Sequence, residues 1–219
     1  TTLFRSLQET VSDTEAEPAE ISEAGITRMG LSAEQFTNNN PNFRDVVFTV
    51  QDGYQAILPA SIAVTVIGQR ASVVYTGEPY EITGFTVTSD SPLFTAEDLV
   101  YDGEAVVRLT DAGTEVMNLE SSRFRSRNSN FGRVEVEVSD GWLTVGQRIV
   151  TLTSEDASKK YDGTPLRYAA IVIGEEGFAP GEGAEFEVTG SRTEVGTSEN
   201  TFTYTLQENT KPENYIFIE

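Results

Sequence analysis

Two residue types are missing altogether: the 219-residue chain has no cysteine and no histidine. The first absence excludes disulfides, a thiolate nucleophile and a zinc–thiolate site. The second removes the commonest general base and the usual imidazole ligand for transition metals. No catalytic residue, metal site or cofactor is therefore assigned from the sequence, and the chain is not expected to be an enzyme. Long apolar runs are missing as well. None approaches the ~18 residues that a membrane-crossing helix requires, so no membrane insertion is expected. No secretion leader is visible, as would also hold for a processed chain. Basic charge is scarce, with 15 Lys and Arg against 35 Asp and Glu and a net charge of −20. Nucleic acid and anionic bilayers both require a positive surface, so neither is an expected partner. The acidity reads as solubility and mutual repulsion, because no EF-hand-like spacing turns it into a calcium loop. What remains, 38% hydrophobic and 10% aromatic residues, suffices for small cores and argues against disorder.

The chain is organised by a stretch that occurs twice. AGITRMGLSAEQFTNNNPNFRDVVFTVQDGY, from Ala24 to Tyr54, returns as AGTEVMNLESSRFRSRNSNFGRVEVEVSDGW, from Ala112 to Trp142, at a constant offset of 88 residues. Repetition at that length marks a tandem module rather than a short solenoid turn. Ser32 and Gln35 form a capping box sufficient for one helical turn; the second copy has Glu120 and Arg123 there. Asn38 to Asn42 reads as a loop, since Asn tolerates the left-handed region and Pro41 blocks a helix. Val134, Val136 and Val138 alternate with Glu135 and Glu137, the pattern of a strand buried on one face. Asp140-Gly141 then predicts a type I′ hairpin, which would place Leu143 and Val145 on the same core wall as the three valines. The first copy repeats that wall with Val46, Phe48 and Val50, weakened by Gln55 at the position of Leu143.

A second repeated stretch opens each module. Val64-Thr65-Val66 leads to Tyr75-Thr76-Gly77-Glu78-Pro79, and Val150-Thr151-Leu152 leads to Tyr161-Asp162-Gly163-Thr164-Pro165, at an offset of 86. Val195-Gly196-Thr197 echoes Ala112-Gly113-Thr114, and Asn214-Tyr215 echoes Asn130-Phe131. Three modules follow: residues 1–62, a partial β module lacking its opening strand; 63–148, a complete one; and 149–219, a module lacking its closing strand. Thr1 to Gly25 is expected to form exposed, irregular strands around a mobile loop, with Leu3-Phe4 matching Leu93-Phe94. Short junctions at Leu58 to Ser61 and Gly146 to Arg148 predict semi-rigid neighbours. The expected fold is all-β: tandem Ig-like sandwiches, or alternatively β-grasp-like modules, with helix limited to single turns.

VTLTSEDASKKYDGTPL, from Val150 to Leu166, resembles the "YDG" signature of MBG-type repeats in bacterial surface proteins. There such a strand is followed by a Val-Gly-Thr segment and an Asn-Tyr strand, as with Val195 to Thr197 and Asn214-Tyr215. The middle module is similar to related repeats that run YTGEPYEITGF, DAGT, an Asn-rich loop, Asn-Phe and a closing DGWLTV, although Tyr75-Thr76-Gly77 departs from Tyr-Asp-Gly. The resemblance covers residues ~24 to 219. It implies a secreted or cell-wall-anchored protein of a Gram-positive-like bacterium, extracellular, with modules that form stalks or adhesive arrays. It implies no catalytic residue.

Tyr161-Asp162-Gly163 and Asp140-Gly141 look site-like, but turn geometry accounts for both. Arg123, Arg125, Arg127 and Arg133 are the one basic cluster. They either pair with neighbouring acidic residues or contact an acidic glycan, such as sialylated or sulfated mucin, through charge-assisted hydrogen bonds. Lys159 or Lys160 is a candidate for an intramolecular isopeptide bond to Asn or Asp, which requires a catalytic carboxyl buried with the pair. Lysine occurs only at 159, 160 and 211, so the middle module has no such bond. The leading expectation is a structural stalk segment of an adhesin. The alternatives are a direct glycan- or mucin-binding module and an accessory segment of a large secreted glycan hydrolase or protease. Expected partners are neighbouring repeat modules and, where another chain supplies the missing strands, further copies joined by strand donation.

Overall fold

The computed structural model describes residues 11–13, 19–174 and 176–219, the first three as backbone only. The proposed match of Leu3-Phe4 to Leu93-Phe94 lies outside the described residues. The first repeat contributes β1 (Val11–Asp13), β2 (Gly25–Arg28), β3 (Phe36–Asn38) and β4 (Tyr54–Ile57). The middle repeat contributes β5 (Ala60–Gly68), β6 (Arg70–Val74), β7 (Tyr80–Thr83), β8 (Phe85–Ser89), β9 (Leu99–Tyr101), β10 (Val106–Leu109), β11 (Gly113–Val116), β12 (Phe124–Ser126), β13 (Phe131–Ser139) and β14 (Trp142–Gly146). The third contributes β15 (Arg148–Ser154), β16 (Ile171–Ile173), β17 (Ala184–Val188), β18 (Phe202–Leu206) and β19 (Tyr215–Ile218). Helix among the described residues is limited to 3-10 turns, at Ala33–Gln35, Ala96–Asp98, Ser121–Arg123 and Pro212–Asn214. The protein is all-β. The capping box closes the first turn as expected, with the Ser32 N–H donating to Gln35 Oε1 at 2.7 Å.

The chain divides into two compact units. One holds the described residues up to Val64 with Thr88–Asp102 and Phe124–Glu137; the other holds Thr65–Val87, Gly103–Arg123 and Val138–Glu219. The sequence repeat reappears as strand register. In the first unit β2 pairs antiparallel with β4, Gly25 opposite Ile57 and Arg28 opposite Tyr54. In the second, β11 pairs antiparallel with β14, Gly113 opposite Val145 and Val116 opposite Trp142. Every partner has moved by the same 88 residues. In the second unit β14 also lies parallel to β6, giving the sheet order β11-β14-β6, and β15 lies parallel to β19.

The opening strands show why this sequence forms strands. Apolar residues two apart, most of them β-branched, put their side chains on one face of the pleat. Val64 and Val66 in β5, and Val150 and Leu152 in β15, are all buried at the expected offset. Full burial of each stabilises the fold by about 1.5–3 kcal/mol. In the first unit Phe94 meets Phe131 edge-on, with centroids 5.4 Å apart. The core of the second gathers Tyr75 and Val145 from the middle repeat with Val150, Leu152, Ala179 and Tyr215 from the third.

Two expectations are corrected. β13 and β14 do not form a hairpin: β13 shares a sheet with β5 and β8, while β14 lies between β11 and β6. A type I′ turn needs positive φ at both central residues, and neither Asp140 nor Gly141 has it. Asp140 instead turns its carboxylate inward, accepting the N–H groups of Asn118 at 3.0 Å and Leu119 at 3.1 Å. Gly141 is required for close approach: a Cβ there would lie 2.5 Å from Met117 Sδ and 2.6 Å from the Gln69 carbonyl oxygen. Asp-Gly at this place is a corner between sheets. Nor do Val46, Phe48 and Val50 form a strand in the first copy. No strand among the described residues pairs with that stretch, and Phe43 is exposed where its counterpart Phe131 is buried.

Candidate functional site

Successive repeats are joined by a device that uses the same residue types twice. In the first unit the Ala24 N–H donates to Asn130 Oδ1 at 2.6 Å. In the second the Ala112 N–H donates to Asn214 Oδ1 at 2.7 Å. In each case the asparagine belongs to the Asn-aromatic pair of one repeat, and the alanine to the Ala-Gly pair of the repeat before it. At the second joint Asn214 Nδ2 donates to Asp111 Oδ1 at 2.9 Å, and Lys211 Nζ lies 2.5 Å from Asp111 Oδ2. Lys211 first and Asn214 second hold the Asp111 carboxyl below the usual carboxylate range. Beside them Tyr75 donates through its hydroxyl to Glu182 Oε1, and Tyr215 donates to Glu182 Oε2 at 2.8 Å. The Tyr215 oxygen in turn accepts the Ala179 N–H at 2.9 Å. Burial, and then Glu182, pushes the Tyr75 phenol well above its ordinary value; Tyr215 is pushed up to about 12, chiefly by burial. Both rings meet edge-on with centroids 5.5 Å apart.

The Asp-Gly pair recurs with the same geometry. Asp52 accepts the N–H groups of Gly30 and Leu31, each at 3.1 Å, as Asp140 does those of Asn118 and Leu119 one repeat later. Asp52 and Asp140 thus both accept backbone N–H groups of their own fold.

The arginines named in the sequence divide between the two units. Arg123, in the second, pairs with Glu120 at 3.5 Å. In the first unit Arg133 pairs with Glu135 at 2.6 Å, and the Arg127 N–H donates to the Asp98 carbonyl at 2.9 Å. Arg125 lies opposite Val100 in the β12–β9 pair. All four are exposed. Arg123 and Arg133 thus already have acidic neighbours, and pairs so exposed contribute at most about 1 kcal/mol each. Lys159 Nζ lies 2.8 Å from Asp162 Oδ1 and donates to Thr164 Oγ1 at 2.6 Å. That contact, ahead of the Thr164 backbone N–H, holds the Asp162 carboxyl far below its ordinary range. The structure places this pair in an exposed turn, where an isopeptide bond calls for a buried trio; Lys160 is exposed as well. Gly163, at φ +79°, and its counterpart Gly77, at +85°, supply the left-handed residue that turn needs.

A cleft of about 530 Å³ opens in the third repeat between residues 156–168 and 190–200. Leu166 and Arg192 close its base with a β-bridge of 2.8 and 3.2 Å. The Arg192 guanidinium folds onto its own turn, donating to the Glu194 carbonyl at 2.9 Å and the Val195 carbonyl at 3.1 Å. Asn200 Nδ2 ties the Glu155 and Tyr168 carbonyls, each at 3.0 Å. Tyr161 and Val195, which line the cleft, are 63% and 81% exposed. Among the described residues no group of three or more acidic or metal-ligating side chains could hold a metal ion.

Comparison of the chain with protein-family models, with curated proteins and with solved structures finds no match. Sequence reasoning did not identify the two clasping asparagines or the Tyr75–Glu182–Tyr215 group as functional. The signal was present for the first: Asn130 and Asn214 each precede an aromatic residue at repeated positions. Glu182 has no sequence pattern to mark it.

Proposed function

We propose that this chain is a structural repeat segment of a secreted or cell-wall-anchored bacterial surface protein, a stalk that spaces a binding domain from the cell. The observation that carries this reading is the recurring clasp, Asn130 on Ala24 and Asn214 on Ala112, at 2.6 and 2.7 Å. Asn214, fully buried, has both ends of its amide satisfied, as a buried amide requires. Here the partners belong to the preceding repeat, so the polar interior serves to join repeats. The extracellular setting is taken from the resemblance of residues ~24 to 219 to MBG- and YDG-type modules.

The test is an array of mucins and of neutral, sialylated and sulfated glycans, probed with the full chain. A stalk segment binds none of them above background. Saturable binding of an acidic glycan that disappears when Arg123, Arg125, Arg127 and Arg133 are all changed to Ser would replace the stalk with a glycan-binding module.

A further inference from the structure

The cleft of the third repeat has a template inside the same molecule. Tyr75 and Tyr161 fix an offset of 86, which carries β6 onto residues 156–160. Gly113 and Gly196 fix an offset of 83, which carries β11 onto residues 196–199. Apart from Lys160, the residues of these two segments line the walls of the cleft. In the middle repeat the space between β6 and β11 is filled by β14, which pairs parallel with one and antiparallel with the other. Among the described residues no strand lies between the corresponding walls of the third repeat, and neither wall is itself in a ladder. The surroundings are otherwise kept. The Leu166–Arg192 bridge stands where Tyr80 pairs with Leu109, and Gly163 keeps the left-handed turn of Gly77.

We propose that this cleft is a β-strand acceptor whose occupant is an extended peptide with the alternation of Trp142–Gly146. An added strand gains affinity from main-chain hydrogen bonds and specificity from alternate side chains. In β14 the inward pair is Leu143 and Val145, 0% and 1% exposed, so the occupant carries apolar residues two apart. Charge also selects it. The two cations that line the cleft are both engaged, the Lys159 ammonium by Asp162 and the Arg192 guanidinium by the Glu194 and Val195 carbonyls, which disfavours an acidic saccharide. A neutral strand fits both the shape and the charge. It goes beyond the stalk reading, since it makes the third repeat a receptor for one more segment of chain.

The probe is a synthetic peptide of the sequence Ser139 to Arg148, titrated into the isotope-labelled full chain and followed by backbone amide resonances. Binding is expected to be saturable, with shifts and slowed exchange confined to 156–160 and 196–199. A peptide with Leu and Thr exchanged, which breaks the alternation, is expected to bind at least about tenfold more weakly, because its leucine leaves the inward face and a threonine takes its place. Proline at Thr197 and, separately, at Ser198 tests the wall, because ladder donors alternate and one of the two N–H groups faces the cleft. One of these variants should lose at least about tenfold in affinity. No response to the peptide, equal response to both peptides, or a response of these walls to a neutral oligosaccharide in place of the peptide overturns the proposal. The wild-type titration decides the matter even where a proline variant fails to fold.

Discussion

Asn214 is fully buried, and an amide so placed must satisfy both of its ends. Its oxygen takes the Ala112 N–H and its nitrogen gives to Asp111. Asn214→Ala leaves the Ala112 N–H without its acceptor and Asp111 with Lys211 alone, and is expected to lower the free energy of unfolding by about 1–3 kcal/mol, read from urea melts. Asn130 is only half-buried, so Asn130→Ala is expected to cost less. The two tyrosines on Glu182 give a pH dependence. Tyrosines in the unfolded chain titrate near ~10, while Tyr75 and Tyr215 are held above that value. The folded state therefore keeps protons that the unfolded state releases. This stability is fully present below about pH 10 and is lost as pH rises toward the folded values. Tyr75→Phe is expected to flatten that alkaline decline while lowering stability at neutral pH by about 0.5–1.5 kcal/mol; melts at neutral and alkaline pH in both proteins check it.

At the scale of elements, the alternation Val134, Val136, Val138 was legible and the partner of the strand was not. Period-2 patterning tells which face is buried and says nothing of which strand lies alongside. Asp-Gly is a strong hairpin signal, but here a carboxylate bonded to N–H groups 21 and 22 residues away and a methionine packed on the glycine decide the geometry. Gly141→Ala places a methyl group against Met117 and the Gln69 carbonyl. It is expected to destabilise by about 1–3 kcal/mol, whereas a true hairpin turn would show only the cost of its φ angle. Thermal melts of Gly141→Ala beside Met117→Ala distinguish these, since the shorter neighbour should relieve part of the clash. The first-copy stretch Val46–Val50 shows the limit from the other side. It carries nearly the same pattern as β13, but among the described residues no strand pairs with it. Its amides are expected to exchange with solvent at least about a hundredfold faster than those of 134–138, as local protection follows pairing and burial.

For the whole molecule, the −20 charge was plain from composition, and its energetic sign follows from the structure. The five ion pairs among the described residues all lie at the surface, partly or fully exposed, so screening them loses little, while screening the excess of carboxylates relieves self-repulsion. Raising ionic strength from about 0.01 to about 0.15 M shortens the Debye length from ~30 to ~8 Å and is expected to raise the melting temperature. A fall would mean that the ion pairs outweigh the repulsion. The offsets of 88 and 86 residues were plain in the sequence. The two compact units were not, because their boundaries run through β5, β8 and β13, and a strand shared between units leaves no break in composition.

The parallel pairing of β15 with β19 has a mechanical consequence. In this pair Arg148 lies opposite Tyr215 and Thr151 opposite Ile218. Tension applied between residues 148 and 218 pulls the two strands in opposite directions along their length. All rungs of that ladder are then loaded at once in shear. In the antiparallel β17–β18 pair, tension between Val188 and Phe202, at one end of the pair, would instead open the rungs one at a time. Single-molecule pulling between residues 148 and 218 should therefore show one high-force rupture, followed by lower-force extension.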